Sequence, residues 1–318
     1  MFKKISLVIG MPVTAVLLVG IIALVLRVTY VQFSSPAVDE PHYAAKQRYL
    51  DQVTSASDKR PNVVIIFFDD LGYGDVSAYN SKSKIATPWI DALAKEGMRF
   101  TDAHSNSSVC TPTRYGILTG QYAWRTSLKN GVLWSYDKPL ITPDQLTVAQ
   151  LLKNKGYQTA CIGKWHLGLD WAKQSNGAID FTKPINGGPT QLGFDYFFGI
   201  TASLDIPPYV YINDNIVTAT RIDSIQEQGG QGFWRAGPIG NDFKHQDVLD
   251  SFVSKSIQYI EKASKQKDPF FLYLALASPH TPILPSNAQT GKTGTNAYGD
   301  FVAMTDESFM NFFHIVAH

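Results

Sequence analysis

NVVIIFFDDLGYGD, residues 62–75, decides how this chain folds. The β-branched and aromatic run from Asn62 to Phe68 is too short for a helix. Its unbroken apolarity suits a strand covered on both faces, the usual state of a parallel strand in an α/β protein. Asp69 and Asp70 then fall at the strand's carboxyl end, the edge where open α/β sheets collect functional groups.

Outward from this strand, helical and strand-like segments alternate. In TPWIDALAKEG, Thr87 can cap, Pro88 fits the first helical position and Gly97 closes the helix. MRFTDAH, residues 98–104, reads as a return strand, and CTPTRYGILTG, residues 110–120, reads as a helix with Pro112 in its first turn and Gly120 at its end. ITPDQLTVAQLLKNKGY repeats the capped-helix pattern, and TACIG, residues 159–163, follows as a short strand. The Gly- and Pro-rich region from Asp170 to Gly240 reads as loops and short hairpins around a site. In residues 245–266, Val248, Leu249, Phe252, Val253, Ile257 and Ile260 trace one helical face, and PFFLYLALASPH then runs as a buried strand ending at His280. The alternation predicts an α/β fold with a largely parallel, mixed sheet flanked by helices.

With 318 residues, 44% of them hydrophobic, the chain can bury a large core in about one or two domains. A net charge of +1 lacks the basic footprint of a nucleic-acid binder, so no nucleic-acid partner is expected. Cys110 and Cys161 are the only cysteines, which allows at most one disulfide and no C-x-x-C metal site.

The amino terminus has a different character. Lys3 and Lys4 precede an uncharged apolar run of 22 residues, Ile5 to Leu26. As a helix it would span about 33 Å, enough for a bilayer's hydrocarbon core. No small-residue cleavage site follows, so residues 1–31 are expected to act as an uncleaved anchor; with cleavage the body would be secreted. The two lysines and the terminal amine outweigh Arg27 and favour an exported body, periplasmic or extracellular. Residues 32–60 read as a stalk with a short helix near 43–53, and residues 61–318 as the folded domain.

If the strands are parallel neighbours, Asp69 and Asp70, Lys164 and His166 in GKWHLG, and His280 in SPHTP all converge at one sheet edge. Two adjacent carboxylates repel unless solvated, protonated or bound to a hard cation. Each group also has an ordinary reading: a turn or cap for the aspartates and SPHTP, a packed histidine for His166, a surface lysine for Lys164. Cys110 can be a buried thiol, a metal ligand or a reacting atom. A helix start at this point favours an anion, and Arg114 four residues on carries a fork suited to an oxyanion.

CTPTRYGILTG resembles the signature of the formylglycine-dependent sulfatases, C-x-P-[ST]-R with a Leu-Thr-Gly ending. VVIIFFDDLGYGD, GKWHLG and LYLALASPHTP are similar to that family's metal, sulfate-binding and leaving-group segments, in the same order. The resemblance implies an alkaline-phosphatase-like α/β domain that cleaves sulfate esters, whether aryl sulfates or sulfated sugars. It implies that a formylglycine-generating enzyme oxidises Cys110 to an aldehyde, whose hydrate attacks sulfur and then expels sulfate. A serine would be left as a stable sulfate ester. Asp69, Asp70 and the modified Cys110 match the ligands of a divalent metal, Ca²⁺ ahead of Mg²⁺, and Arg114 matches the residue supporting the formylglycine. Lys164 matches the lysine bridging metal side and sulfate, His166 the histidine that takes the diol's proton, and His280 the one that contacts sulfate and protonates the leaving oxygen. Ser203, in FFGITASLD, falls where some members place a sulfate-contacting serine.

Family members continue with a strand whose Asp-Asn pair completes the metal site, then a further lysine and a smaller domain. Here YGDFVAMTDES, residues 298–308, resembles the start of the preceding helix, and FMNFFHIVAH, residues 309–318, loses its polar face. Asp306 and Glu307 lie within that helix and do not replace the pair. The expectation is a sulfatase domain incomplete at its carboxyl end and poorly active as written. Relatives on the same scaffold that cleave phosphonates or phosphodiesters supply a second reading, and a non-catalytic binder of sulfated glycans a third.

Overall fold

In the computed structural model, which describes residues 39–53, 60–310 and 312, the opening run forms β1 (Val63–Asp69). The other elements follow in chain order. The helices are α1 (Glu40–Gln52), α2 (Pro88–Glu96), α3 (Cys110–Thr119), α4 (Val148–Asn154), α5 (Val248–Ala263) and α6 (Ala297–Glu307). The remaining strands are β2 (Gln158–Lys164), β3 (Tyr196–Ile200), β4 (Ile212–Asn213), β5 (Ile216–Val217), β6 (Ile222–Ile225), β7 (Gly237–Gly240) and β8 (Phe270–Pro279).

One sheet has the order β1-β8-β2-β3-β4-β5, with β6 and β7 as a separate antiparallel pair. The first four strands are mutually parallel, and the last two return antiparallel. Parallel pairing of β1, β8 and β2 brings three carboxyl ends to one edge, so Asp69, Lys164 and the segment leading to His280 share it. At the end of β2, Gly163 has φ +122°, and a Cβ there would collide with the Ala275 carbonyl, so only glycine lets β2 approach β8 this closely.

β8 is buried along its whole length, as a parallel strand between two covered faces must be. Its even-numbered residues Leu272, Leu274 and Leu276 pack with Phe252 and Ile260 of α5 and Phe301 and Met304 of α6. Phe271, Tyr273 and Ala275 point the other way, to Tyr115 and Leu118 of α3 and to Cys161. The apolar stripe read in α5 is the one that is buried, with Ile257 at its margin.

Two expectations change. Val63 to Phe68 of β1 are only half-buried, because β1 is an edge strand that pairs with β8 alone among the described residues. MRFTDAH is not a strand: no ladder reaches residues 98–104, and Met98 and Phe100 are 79% and 64% exposed. An extended segment with no neighbouring edge gains no ladder hydrogen bonds to offset its ordering.

The expected anchor, residues 1–31, lies outside the described residues, as does part of the stalk. Among the described residues no helix is long and apolar enough to cross a membrane. Within the stalk, α1 forms near the expected place and docks onto the domain, where the Lys46 ammonium donates to the carbonyls of Pro143 and Gln145.

Candidate active site

Cys110 is the first residue of α3, after the extended Val109, so it sits where a helix leaves its backbone N–H groups without intrahelical partners. The left-handed Gly120 closes the helix, as its sequence predicts. One turn in, Arg114 is fully buried and reaches under the sheet edge. Its Nη1 donates to the Lys164 carbonyl at 2.6 Å and its Nη2 to the Leu276 carbonyl at 3.3 Å, while Nη2 stands 3.4 Å from Asp69 Oδ2. Its guanidinium lies 5.2 Å over the Phe67 ring. Arg114 thus ties α3 to the ends of β1, β2 and β8.

Lys164 closes β2 and is fully buried. Its ammonium donates to Asp69 Oδ2 and, at 2.6 Å, to Ser203 Oγ. Burial alone would raise the Asp69 pKa, but the charges of Lys164 and Arg114 outweigh it and hold the carboxyl well below the usual carboxylate range. Asp70, next in the chain, turns outward with φ +61°, and its side chain is 58% exposed. His280 Nε2 stands 3.6 Å from Asp70 Oδ2, and its Nδ1 donates to the Thr281 carbonyl at 2.6 Å.

His166 adopts φ +57°, a left-handed conformation that costs a non-glycine residue strain and persists only when neighbours fix it. Thr111, beside Cys110, donates to the His166 carbonyl at 2.9 Å. The ring's Nε2 lies 2.8 Å from the Leu133 carbonyl and so carries the proton. Burial, reinforced by the charges of Lys164 and Arg114, holds the imidazole pKa well below its ordinary value. The ring is therefore neutral, and its buried Nδ1 lone pair has no hydrogen-bond partner.

Asp69, Arg114, Lys164 and Ser203 thus form one bonded group, with His166 joined to α3 through Thr111 and Asp70 paired with His280. Two carboxylates are fewer than the six to eight oxygen ligands a Ca²⁺ ion takes. Among the described residues no group of three or more metal-ligating side chains stands together.

The loop GVLWSYD, residues 131–137, carried no role in the sequence reading, yet Leu133 orients His166. Its signal was a run of aromatic residues in a Gly-flanked loop, which is silent until the fold brings the loop to His166. Asp205 and Arg235, paired at 2.5 Å just beyond Ser203, were missed for the same reason.

The site is thus a parallel α/β sheet edge that bears a buried lysine, a buried arginine and two carboxylates beside a helix start. The chain belongs to the sulfatase family, whose model matches residues 61–317. It is 33% identical to an N-acetylgalactosamine-6-O-sulfatase of Bacteroides thetaiotaomicron over 78% of this chain and 54% of that protein. It is 32% identical to mouse (Mus musculus) arylsulfatase G over 70% of this chain and 42% of that protein. A solved Bacteroides thetaiotaomicron structure from work on glycosaminoglycan metabolism superposes with TM-score 0.71 at 31% identity, covering 82% of this chain and 60% of that one. A Pseudoalteromonas sulfatase superposes at 0.61 with 22% identity, over 89% of this chain and 57% of that one, a likeness of fold alone. The chain spans about half the length of the curated relatives it matches.

Proposed function

We propose that this chain carries the sulfate-handling side of a sulfuric ester hydrolase. The observation that carries the reading is the fully buried Lys164 ammonium shared between Asp69 and Ser203. A cation so placed, at a parallel sheet edge, is held charged and oriented before an oxyanion arrives. Lys164, Ser203 and His280 hold the sulfate, while Arg114 and Asp69 fix the lysine. His166 accepts a proton at Nδ1, and His280 delivers one to the leaving oxygen. Formylglycine derived from Cys110 supplies, when formed, a hydrated aldehyde that can accept the sulfuryl group and release it. Asp69 and Asp70 offer two carboxylates to a divalent cation, Ca²⁺ ahead of Mg²⁺, and the modified Cys110 would add a third ligand.

Sulfated sugars lead aryl sulfates as the substrate class, supported by the named activity of the bacterial relative. The apolar run of residues 5–26 supports an exported body held at a membrane. The test is to express the chain with a formylglycine-generating enzyme, follow oxidation of Cys110 by mass spectrometry of the tryptic peptide 100–114, and assay aryl sulfate, aryl phosphonate and sulfated sugar side by side. Slow, aldehyde-dependent sulfate release is the expected result. A preference for phosphonate, or binding of sulfated sugar without turnover and without Cys110 oxidation, would replace this reading with one of its two rivals.

A further inference from the structure

Trp134 is 47% exposed, yet the loop that carries it is pinned on every side. Leu133 on one flank accepts from His166 through its carbonyl and donates its N–H to Thr111 Oγ1 at 3.1 Å. On the other flank the Ser135 carbonyl accepts the Trp171 indole N–H at 2.9 Å, and its hydroxyl accepts from Thr201 at 3.1 Å. The Trp134 N–H itself donates to Asp137 at 2.7 Å. Because Leu133 O is 2.8 Å from His166 Nε2, the Trp134 Cα lies within about 6 Å of that ring by covalent geometry. A rigid, wet indole this close to a site is not there to fill a core.

Across from it, the Arg235 guanidinium stands 5.2 Å over the Trp134 ring and 5.0 Å over that of Phe233. Its Nη1 donates to Asp205 Oδ2 at 2.5 Å, which ties it to the segment two residues beyond Ser203. The Arg235 side chain stays 39% exposed. The two loops therefore meet, one bonded to His166 and the other tied to the segment after Ser203, and present an aromatic face beside a fixed guanidinium. An apolar face with convergent polar donors is the chemistry that takes a pyranose ring with its hydroxyls and anionic substituents.

We propose that Trp134 and Arg235 form a rim subsite that holds the sugar ring of a sulfated saccharide while its sulfate is directed to the sheet edge at Ser203 and Lys164. Trp134 is the platform, and Arg235 the donor to ring substituents. This rests on the sulfatase reading, and it assigns the selectivity of that site to two residues that contact neither sulfate nor Cys110.

The test is calorimetric titration of the chain with N-acetylgalactosamine 6-sulfate, with hydrolysis of an aryl sulfate measured in parallel. Trp134→Ala is expected to weaken sugar binding at least about tenfold, with Trp134→Phe recovering most of it. Trp124→Ala, at an exposed tryptophan stacked on Tyr122 outside this cluster, is expected to bind as the parent does. Trp134→Leu keeps apolar bulk without a ring, so a deficit there that Trp134→Phe lacks separates stacking from folding. Binding by Trp134→Ala and Trp134→Leu within twofold of the parent would overturn the rim, and so would no binding by the parent at millimolar sugar. If instead the rim binds as expected but the parent, with Cys110 oxidised to formylglycine, cleaves no sulfate ester, the sulfatase reading fails and the subsite stands.

Discussion

Lys164 shows most plainly how a single residue joins stability to chemistry. Its charge is removed from water and compensated by Asp69, so the pair is strong only while both partners stay. Lys164→Ala leaves Asp69 buried with Arg114 alone, and urea denaturation is expected to show a loss of about 3–5 kcal/mol together with loss of sulfate-ester turnover. Cys110→Ser separates the two roles. A half-buried hydroxyl replaces the thiol at the start of α3, with a stability change expected to stay within about 1 kcal/mol. Turnover should vanish, because a serine sulfate has no second hydroxyl with which to expel the group. A Cys110→Ser variant that kept multiple-turnover activity would remove Cys110 from the chemistry.

At the scale of elements, α6 and α2 are joined by one carboxylate. Asp306, expected to be no metal ligand, accepts the Trp89 and Ile90 N–H groups at 3.1 and 2.9 Å and so caps α2 from a distant helix. Burial pushes its pKa up to about 6, against the two N–H groups that favour the carboxylate. The folded form therefore binds a proton more tightly than the unfolded chain. The stability Asp306 contributes is full below about pH 4 and declines as pH rises through 6, by roughly 2 kcal/mol. Relative to the parent, Asp306→Asn should gain in denaturation free energy between pH 4 and 6, and a pH-independent difference would contradict this. α4 is capped within its own sequence, by the reciprocal Thr147 and Gln150 bonds. Thr147→Ala is expected to cost about 1–2 kcal/mol in a thermal or urea melt, since the threonine also holds the Leu192 carbonyl. The sequence reading placed a capped helix in ITPDQLTVAQLLKNKGY without naming Thr147, whose capping partner lies only three residues away. The Asp306 cap was not legible there, because its partners are more than two hundred residues away.

Across the whole molecule, acid acts through a second buried group of opposite sign. His245 is enclosed by Trp234, Tyr209 and Phe243, with ring centroids 4.3, 4.4 and 5.4 Å away. Burial pushes its pKa down to about 4, so the folded state resists a proton that the unfolded chain takes up near pH 6.5. Its contribution is full above pH 6.5 and is lost as pH falls toward 4, by about 2–3 kcal/mol. His245→Phe, which suits the aromatic enclosure, should flatten that limb of the stability profile in equilibrium denaturation. Parallel profiles for parent and variant would show that the imidazole takes up its proton equally well folded and unfolded. Because Asp306 and His245 slope oppositely between pH 4 and 6, each variant should reveal the other residue's slope.

The sequence by itself determined the elements with local causes. These are the helices that begin at Pro88 and Cys110, the apolar strands ending at Asp69, Lys164 and Pro279, and the motifs that resemble a sulfatase, because helix starts and stops, periods and motifs are written within a few neighbouring residues. It erred at MRFTDAH, whose alternation cannot say whether an edge waits beside it. Only the tertiary structure decided that β8 lies between β1 and β2, and that order is what lets Arg114 and Lys164 close on one carboxylate. It also decided that residues 131–137 orient His166 and that Trp134 faces Arg235. Those contacts join segments tens to hundreds of residues apart, and their energies depend on burial and distance, which exist only once the sheet has formed.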